Sequence, residues 1–367
     1  MLRGARVSVR YDVTVQLQKP SIAGGLPGNS PMPAGGSKPR GSVVRVIALV
    51  LVLAGLAASV VAAAPAGKVY RIGLLVVSSA SEYRLNVDAF REGLRELGYV
   101  EGHNAVLEYK WVEGRYDRLS DLAVELVRSK VDVIVTHGTP GTRAAERASK
   151  TIPIIMATVG DPEEQGLVAS LARPGGNITG LSQLFSELVA KRAELLKELA
   201  PGISRLAVLM NPANPSHRPQ MFRQVEAVAL SLGMELYQSP ITTAEDFEPA
   251  FSRMAKRRVQ AVLVVEDGLI NSHSKRIVDL ANRNKLPSAG FKPIAEVGGL
   301  MAYAPDHRDL WRRAAAYVDK ILKGARSGDL PIEQPTKFEL VINLNTARAL
   351  GLTIPQSLLL RADQVIQ

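Results

Sequence analysis

Six apolar runs in this chain are each followed by a short polar stretch whose residue types could grip a small molecule. Ser78 and Ser79 follow Val77. Thr136, His137, Gly138, Thr139 and Pro140 follow Val135. Gly160 and Asp161 follow Val159. Asn211, Asn214 and Ser216 come after Met210, Glu266 and Asp267 after Val265, and Gly290 and Phe291 after Ala289. Hydroxyls and free backbone N–H groups at such turns suit a carboxylate. The carboxylates of Asp161, Glu266 and Asp267 suit an ammonium, and Phe291, Tyr83 and Tyr303 could wall an apolar or aromatic side chain. A purely structural reading stands beside this one. Ser, Asp and Asn after a strand are commonly helix N-caps, and Asp161-Pro162 and Asn211-Pro212 have the form of a cap followed by a first-turn proline. Phe291 and Tyr303 could equally be core.

Covalent and redox chemistry has little support. No G-x-G-x-x-G follows a strand, and there is no Walker lysine motif or G-x-S-x-G elbow. The chain has no cysteine, which removes disulfides, thiolate metal sites and a thiol nucleophile. His103, His137, His217, His273 and His307 share no metal-ligand spacing. They read as surface or loop residues, with no metal and no cofactor expected. The formal charge of +10 over 367 residues is uneven. Residues 1–66 carry +6 and the remainder only +4, so a nucleic-acid partner is not expected.

The elements that must hold these turns alternate regularly. Val69–Val77 (VYRIGLLVV) reads as a strand buried on both faces. Leu85–Leu97 has helical spacing, with Val87, Phe90, Leu94 and Leu97 on one side. Strands are expected at 105–112, 131–135, 152–159 and 178–184, and helices at 117–130, 141–150, 162–172 and 188–199. The alternation then restarts: strands at 206–210, 235–239, 261–265, 286–289, 301–304 and 338–343, with helices at 219–232, 244–256, 271–284, 308–323 and 347–350. A βαβ pattern written twice predicts an α/β protein of two Rossmann-like lobes, each with a parallel sheet, and a cleft at the strand ends. The first lobe is expected to comprise 67–184 and 300–330, the second 185–299 and 331–367. Residues 1–66 read as a Pro/Gly/Ser-rich leader, then Arg40 and Arg45, an apolar run from Val46 to Ala64 and an A-x-A ending. Those are the parts of a secretory signal, or of an N-terminal anchor if it is not cleaved.

Several stretches resemble one family. They are FREGLRELGYVEG (90–102), the Gly138-Thr139-Pro140 turn, TIPIIMATVGDPEEQGLVASLARPGGNITG (151–180), LLKELAPGISRLAVLMNP (195–212), GGLMAYAPD (298–306) and the segment from Gln334 to Ile366. In order and spacing over residues 69–367 they resemble the substrate-binding proteins of ABC importers, in the tryptophan/tyrosine transport-type group. The resemblance implies a type I periplasmic-binding-protein fold, two lobes closing on a small solute about a hinge, and no catalysis. It also implies a membrane permease and ATPase as partners. It favours Gly138, Thr139, Asp161 and Asn211 as ligand contacts and an amino acid or related compound as the ligand, an aromatic amino acid by the group's label. The long leader departs from the family pattern, and the lack of cysteine removes a lipid anchor. A free, monomeric periplasmic protein is therefore expected. A sensory receptor of the same fold is the alternative. An α/β enzyme in the cleft lacks motif support, and a DNA-binding regulator lacks an N-terminal helix-turn-helix.

Overall fold

A computed structural model describes residues 68–217 and 219–367. The leader and secretory signal expected over residues 1–66 lie outside the described residues. The apolar runs become strands because residues such as Ile72, Leu74, Val133, Ile134 and Val135 have no exposed surface on either face of the sheet. That is possible only where helices cover both sides.

The first sheet contains β1 (Tyr70–Val76), β2 (Ala105–Trp111), β3 (Val133–His137), β4 (Ile154–Val159) and β5 (Ile178–Ser182). Its order is β2-β1-β3-β4-β5, all parallel. The second sheet contains β6 (Arg205–Met210), β7 (Glu235–Pro240), β8 (Ala261–Val264), β9 (Ser288–Gly290), β10 (Met301–Pro305), β11 (Phe338–Asn343) and β12 (Gln364–Ile366). Its order is β12-β11-β10-β9-β8-β6-β7, parallel except for the β10–β11 pair. Each sheet has a point where the winding direction reverses: between β1 and β3 in the first, and between β6 and β8 in the second. Connections leaving such a point go to opposite faces and leave a crevice at the carboxyl ends of the strands.

Helices follow most strands. In the first lobe these are α1 (Ala80–Glu96), α2 (Leu119–Arg128) and α3 (Gly138–Ala148). In the second they begin with α4 (Phe185–Leu199) and α5 (Pro219–Ser231) and continue with α6 (Phe247–Lys256), α7 (Gly268–Asn271), α8 (Ser274–Arg283) and α9 (Lys292–Glu296). After β10 the chain crosses back. Helix α10 (His307–Leu322) packs on α1, burying Trp311, Ala314, Ala315 and Val318 in the first lobe's core. The chain ends with α11 (Leu344–Ala349) and α12 (Gln356–Arg361) around β11 and β12. Among the described residues no helix is long and apolar enough to cross a membrane.

Three expectations need correction. Residues 162–172 do not form a helix. Leu167 N–H bonds to Pro162 O and Gly166 N–H to Glu163 O, with Gly166 at φ 63°. That is a helix-terminating motif closing after one turn, and glycine supplies the left-handed residue it needs. The expected helix over 271–284 is interrupted between Asn271 and Ser274, so α7 and α8 are separate. Strand Met301–Pro305 belongs to the second sheet, not with 300–330 in the first lobe, because it pairs with β9 and β11. The crossing therefore falls at Asp306, which caps α10 by accepting from the N–H groups of Arg308 and Asp309. At the far end, Ile332 still packs in the first lobe's core and Glu333 bridges Leu181.

Candidate functional site

The loops leaving the two reversal points face one another across a narrow cavity. Only about 40 Å³ of it is open to the centre of a water molecule. Val77 directly follows β1, His137, Gly138, Thr139 and Pro140 come from the β3–α3 junction, and Thr158 and Gly160 from β4 and the loop after it. Asn214 and Ser216 come from the loop after β6, and Glu266, Asp267, Gly268 and Asn271 from the segment after β8. Tyr83, Tyr116, Phe185 and His307 add aromatic walls, and Gln183 completes the lining. Two strand irregularities, at Thr136/His137 and between Met156 and Val159, turn the ends of β3 and β4 toward it.

Of the residues singled out from sequence, Tyr83, His137, Gly138, Thr139, Pro140, Gly160, Asn214, Ser216, Glu266 and Asp267 line this cavity. The others are placed differently. Ser78 is fully buried beside Val77 and its hydroxyl has no partner. Ser79 caps α1 in a reciprocal arrangement with Glu82. Asn211 donates from Nδ2 to Asp267 at 3.1 Å and accepts from Ala213 N–H at 3.0 Å, which shapes its loop. Phe291 is 3% exposed in an apolar core. Tyr303 stacks on Phe338 with ring centroids 5.7 Å apart.

Asp161 is the clearest departure. Its carboxylate accepts from the N–H groups of Phe185 and Ser186, both at 3.1 Å, and from the Ser186 hydroxyl at 2.7 Å. It therefore caps α4 across the lobe boundary, where the N-cap residue Leu184 has no polar side chain to do so. Asp161→Ala is expected to reduce stability by about 0.5–2 kcal/mol, the usual worth of a helix cap. Urea unfolding would measure this; an unchanged midpoint would mean the cap contributes nothing.

The acidic pair after β8 divides its work. Glu266 is gripped by Arg192 of α4, with Nη1 to Oε2 at 2.7 Å and Nη2 to Oε1 in a second, shorter bond. Arg192 Nε also donates to the Tyr303 carbonyl at 2.7 Å. The Arg192 side chain is 1% exposed and that of Glu266 10%. Burial works against ionising Glu266, but the adjoining guanidinium outweighs it and holds the carboxyl below its ordinary range. Asp267 has no ion-pair partner among the described residues. It accepts instead from Asn211 at 3.1 Å, Asn214 at 3.0 Å and the N–H groups of Leu269 and Ile270 at 2.9 and 3.3 Å. It also accepts a short bond from the Tyr116 hydroxyl of the opposite lobe.

That bond is one of four spanning the cleft among the described residues, and the same Tyr116 hydroxyl accepts from Gly268 N–H at 3.2 Å. Thr139 and Ser216 share a hydroxyl–hydroxyl bond at 2.6 Å, and Ser272 donates to Glu82 at 3.2 Å. The lobes are thus closed on each other.

Three histidines read from sequence as surface or loop residues are part of this region. His137 is 5% exposed, stacks on Tyr83 at 4.1 Å and accepts from Val77 N–H at 2.9 Å through Nε2. His217 accepts from Asn211 N–H at 3.0 Å and donates from Nε2 to the Glu266 carbonyl at 3.1 Å, bracing that loop. His307 lines the cavity at the start of α10. Burial, with His307 nearby, pushes His137 from 6.5 down to about 3. The unfolded chain therefore takes up a proton that the folded chain refuses. Stability is expected to hold above pH 6.5 and to decline from there toward pH 3. The decline is at most about 1.4 kcal/mol per pH unit for this residue. Urea unfolding at several pH values checks it, and His137→Gln should flatten the slope. Among the described residues no cluster of three His, Cys, Asp or Glu is placed to hold a metal.

Tyr116, Phe185, Gln183, Thr158, Asn271 and Arg192 carried no motif. A buried cation needs a buried anion, so Arg192, two turns into an otherwise apolar helix face, was the one signal available.

Residues 71–366 match the family model described as ABC transporter substrate binding protein. The chain belongs to that family. Its two lobes have the type I periplasmic-binding-protein fold expected from the resemblance. This substrate-binding protein is 30% identical to a tyrosine-binding protein of Clostridioides difficile over 264 residues, 72% of this chain and 75% of the relative. Among solved structures, it is similar to a Streptococcus pneumoniae ABC domain in complex with L-Trp. There the identity is 28%, the TM-score 0.76, and the coverage 81% of this chain and 99% of that one. A ligand-free, open substrate-binding protein from Clostridium difficile gives 25% identity and a TM-score of 0.59, covering 82% of this chain and 100% of that one.

Proposed function

We propose that this chain is the solute receptor of an ABC importer, exported to the periplasm, where it captures an amino acid with an aromatic side chain. The observation that carries this is the cavity between the lobes, whose wall combines the rings of Tyr83, Tyr116 and Phe185 with the start of α3 and, apart from it, the carboxylate of Asp267. Helix α3 is eleven residues long and no side chain caps its first turn. Its N–H groups and the Thr139 hydroxyl would receive the ligand carboxylate. Asp267, the acidic group without a cationic partner, would hold the ammonium. Tyr83, Tyr116 and Phe185 would flank the side chain.

In this reading no bond is made or broken in the cleft. The ligand binds one lobe of the open form, and the second lobe rotates about the crossings near 183–184, 306 and 330–333 to complete the contacts. The closed form is what the permease, driven by its ATPase, recognises. Support comes from the family and from relatives that are named for tyrosine and solved with tryptophan.

A melting-temperature screen of the purified protein tests it, using the twenty amino acids, small aromatic acids, amides and sugars. A ligand that binds only the native state must raise the melting temperature. A rise confined to aromatic amino acids, with compaction in small-angle scattering, is the expected result. A rise with sugars or amides alone would replace the ligand class.

A further inference from the structure

Most polar side chains around the cavity are already engaged. Glu266 is taken by Arg192, Asp267 by donors from both lobes, His137 Nε2 by Val77, and Thr139 by Ser216. Among the described residues that line the cavity, two buried side-chain atoms have no partner: Asn271 Oδ1 and His307 Nε2. Asn271 ends the short helix that Asp267 caps, and its N–H bonds to the Asp267 carbonyl at 2.8 Å. It therefore belongs with the ammonium end. His307 stands where the chain crosses between lobes, close enough to feel the charges of Glu266 and Arg192. Burial holds it in the neutral form, despite the opposing pull of Glu266. A neutral imidazole has one donor and one acceptor nitrogen, and with the proton on Nδ1 the unpartnered Nε2 is the acceptor. An acceptor buried without a partner favours a ligand that supplies a donor and discriminates against one that does not.

We propose that His307 selects the ligand's side chain, with Nε2 accepting a hydrogen bond from an O–H or N–H group that the side chain carries. This rests on the amino-acid reading above and adds a specificity rule to it. A ring bearing a phenolic hydroxyl or an indole N–H is accepted, and a bare phenyl ring is disfavoured. Asn271 Oδ1 receives the ammonium alongside Asp267 and is indifferent to the side chain.

Titration calorimetry with tyrosine, tryptophan and phenylalanine tests this on the full protein, alongside His307→Phe and His307→Gln. The better of tyrosine and tryptophan is expected to bind the wild type about 10- to 100-fold more tightly than phenylalanine. His307→Phe should bring that ratio to within about threefold while phenylalanine binding is kept, and His307→Gln, which retains an acceptor, should restore part of it. Circular dichroism verifies folding, and His307→Leu replaces the phenylalanine variant should that one fail to fold. Phenylalanine binding the wild type as tightly as the other two overturns the assignment of His307 and leaves the amino-acid reading intact. So does an unchanged ratio in the folded variant. No binding of any amino acid overturns both.

Discussion

Arg192→Met is expected to lower the free energy of unfolding by about 3–5 kcal/mol, the usual effect of breaking a buried ion pair from one side. The guanidinium is 1% exposed, binds both oxygens of Glu266 and donates to the Tyr303 carbonyl. Its removal leaves a buried carboxylate without a countercharge and a carbonyl without a donor. The double variant Arg192→Met/Glu266→Gln should regain much of the loss, because no net charge stays buried. The pH dependence gives a second, independent reading. In the wild type the Glu266 carboxyl lies below its ordinary value of 4.5. Its contribution is present above that pH and is lost as the pH falls through the depressed folded value. In Arg192→Met burial, the largest influence, is opposed only by the weaker effects of His307 and a backbone hydrogen bond, and it is expected to raise the carboxyl above 4.5. The variant should then gain stability relative to wild type as the pH is lowered. Urea unfolding at pH 7.5 and pH 5 distinguishes the two signs, and parallel curves would show that Arg192 is not what keeps Glu266 ionised.

Replacing Asp267 should have the larger effect on ligand capture. Asp267→Ala removes the acceptor of the Tyr116 hydroxyl, of both amides in the loop after β6 and of the first turn of α7. A hydrogen bond to a charged group is worth about 1.5–3 kcal/mol. Losing the bond across the cleft together with the ammonium site is expected to weaken binding of the preferred amino acid by at least about 100-fold. Tyr116→Phe separates the two roles. In the open form both groups meet water, so the variant weakens closure alone. A loss of about 10-fold in affinity is expected, with the free energy of unfolding changed by less than about 0.5 kcal/mol. Calorimetry and scattering on both variants measure this. Equal losses for Asp267→Ala and Tyr116→Phe would mean that Asp267 serves closure only and does not meet the ligand.

Much of the architecture could be read from local periodicity. Strand-length apolar runs with amphipathic helices between them specify doubly covered sheets, and the reversal points of such sheets place the loops after β1, β3, β6 and β8 at one cleft. That is why Gly138, Thr139, Glu266 and Asp267, each in a polar stretch that follows a strand, reach the cavity. What each side chain does there was not legible. Asp161 looked like a ligand group until the start of α4, 25 residues on, claimed its oxygens. Glu266 finds Arg192 at a separation of 74 residues, and Asp267 finds Tyr116 at 151. His307 arrives only because β10 pairs within the second sheet, which puts the crossing to the first lobe directly before it. Periodicity is a property of neighbours along the chain, and it determined the strands, the helices and the cleft. Hydrogen-bond partnership and burial depend on residues that only packing brings together, so the tertiary structure alone decided which polar groups are spent on the fold and which remain for a ligand.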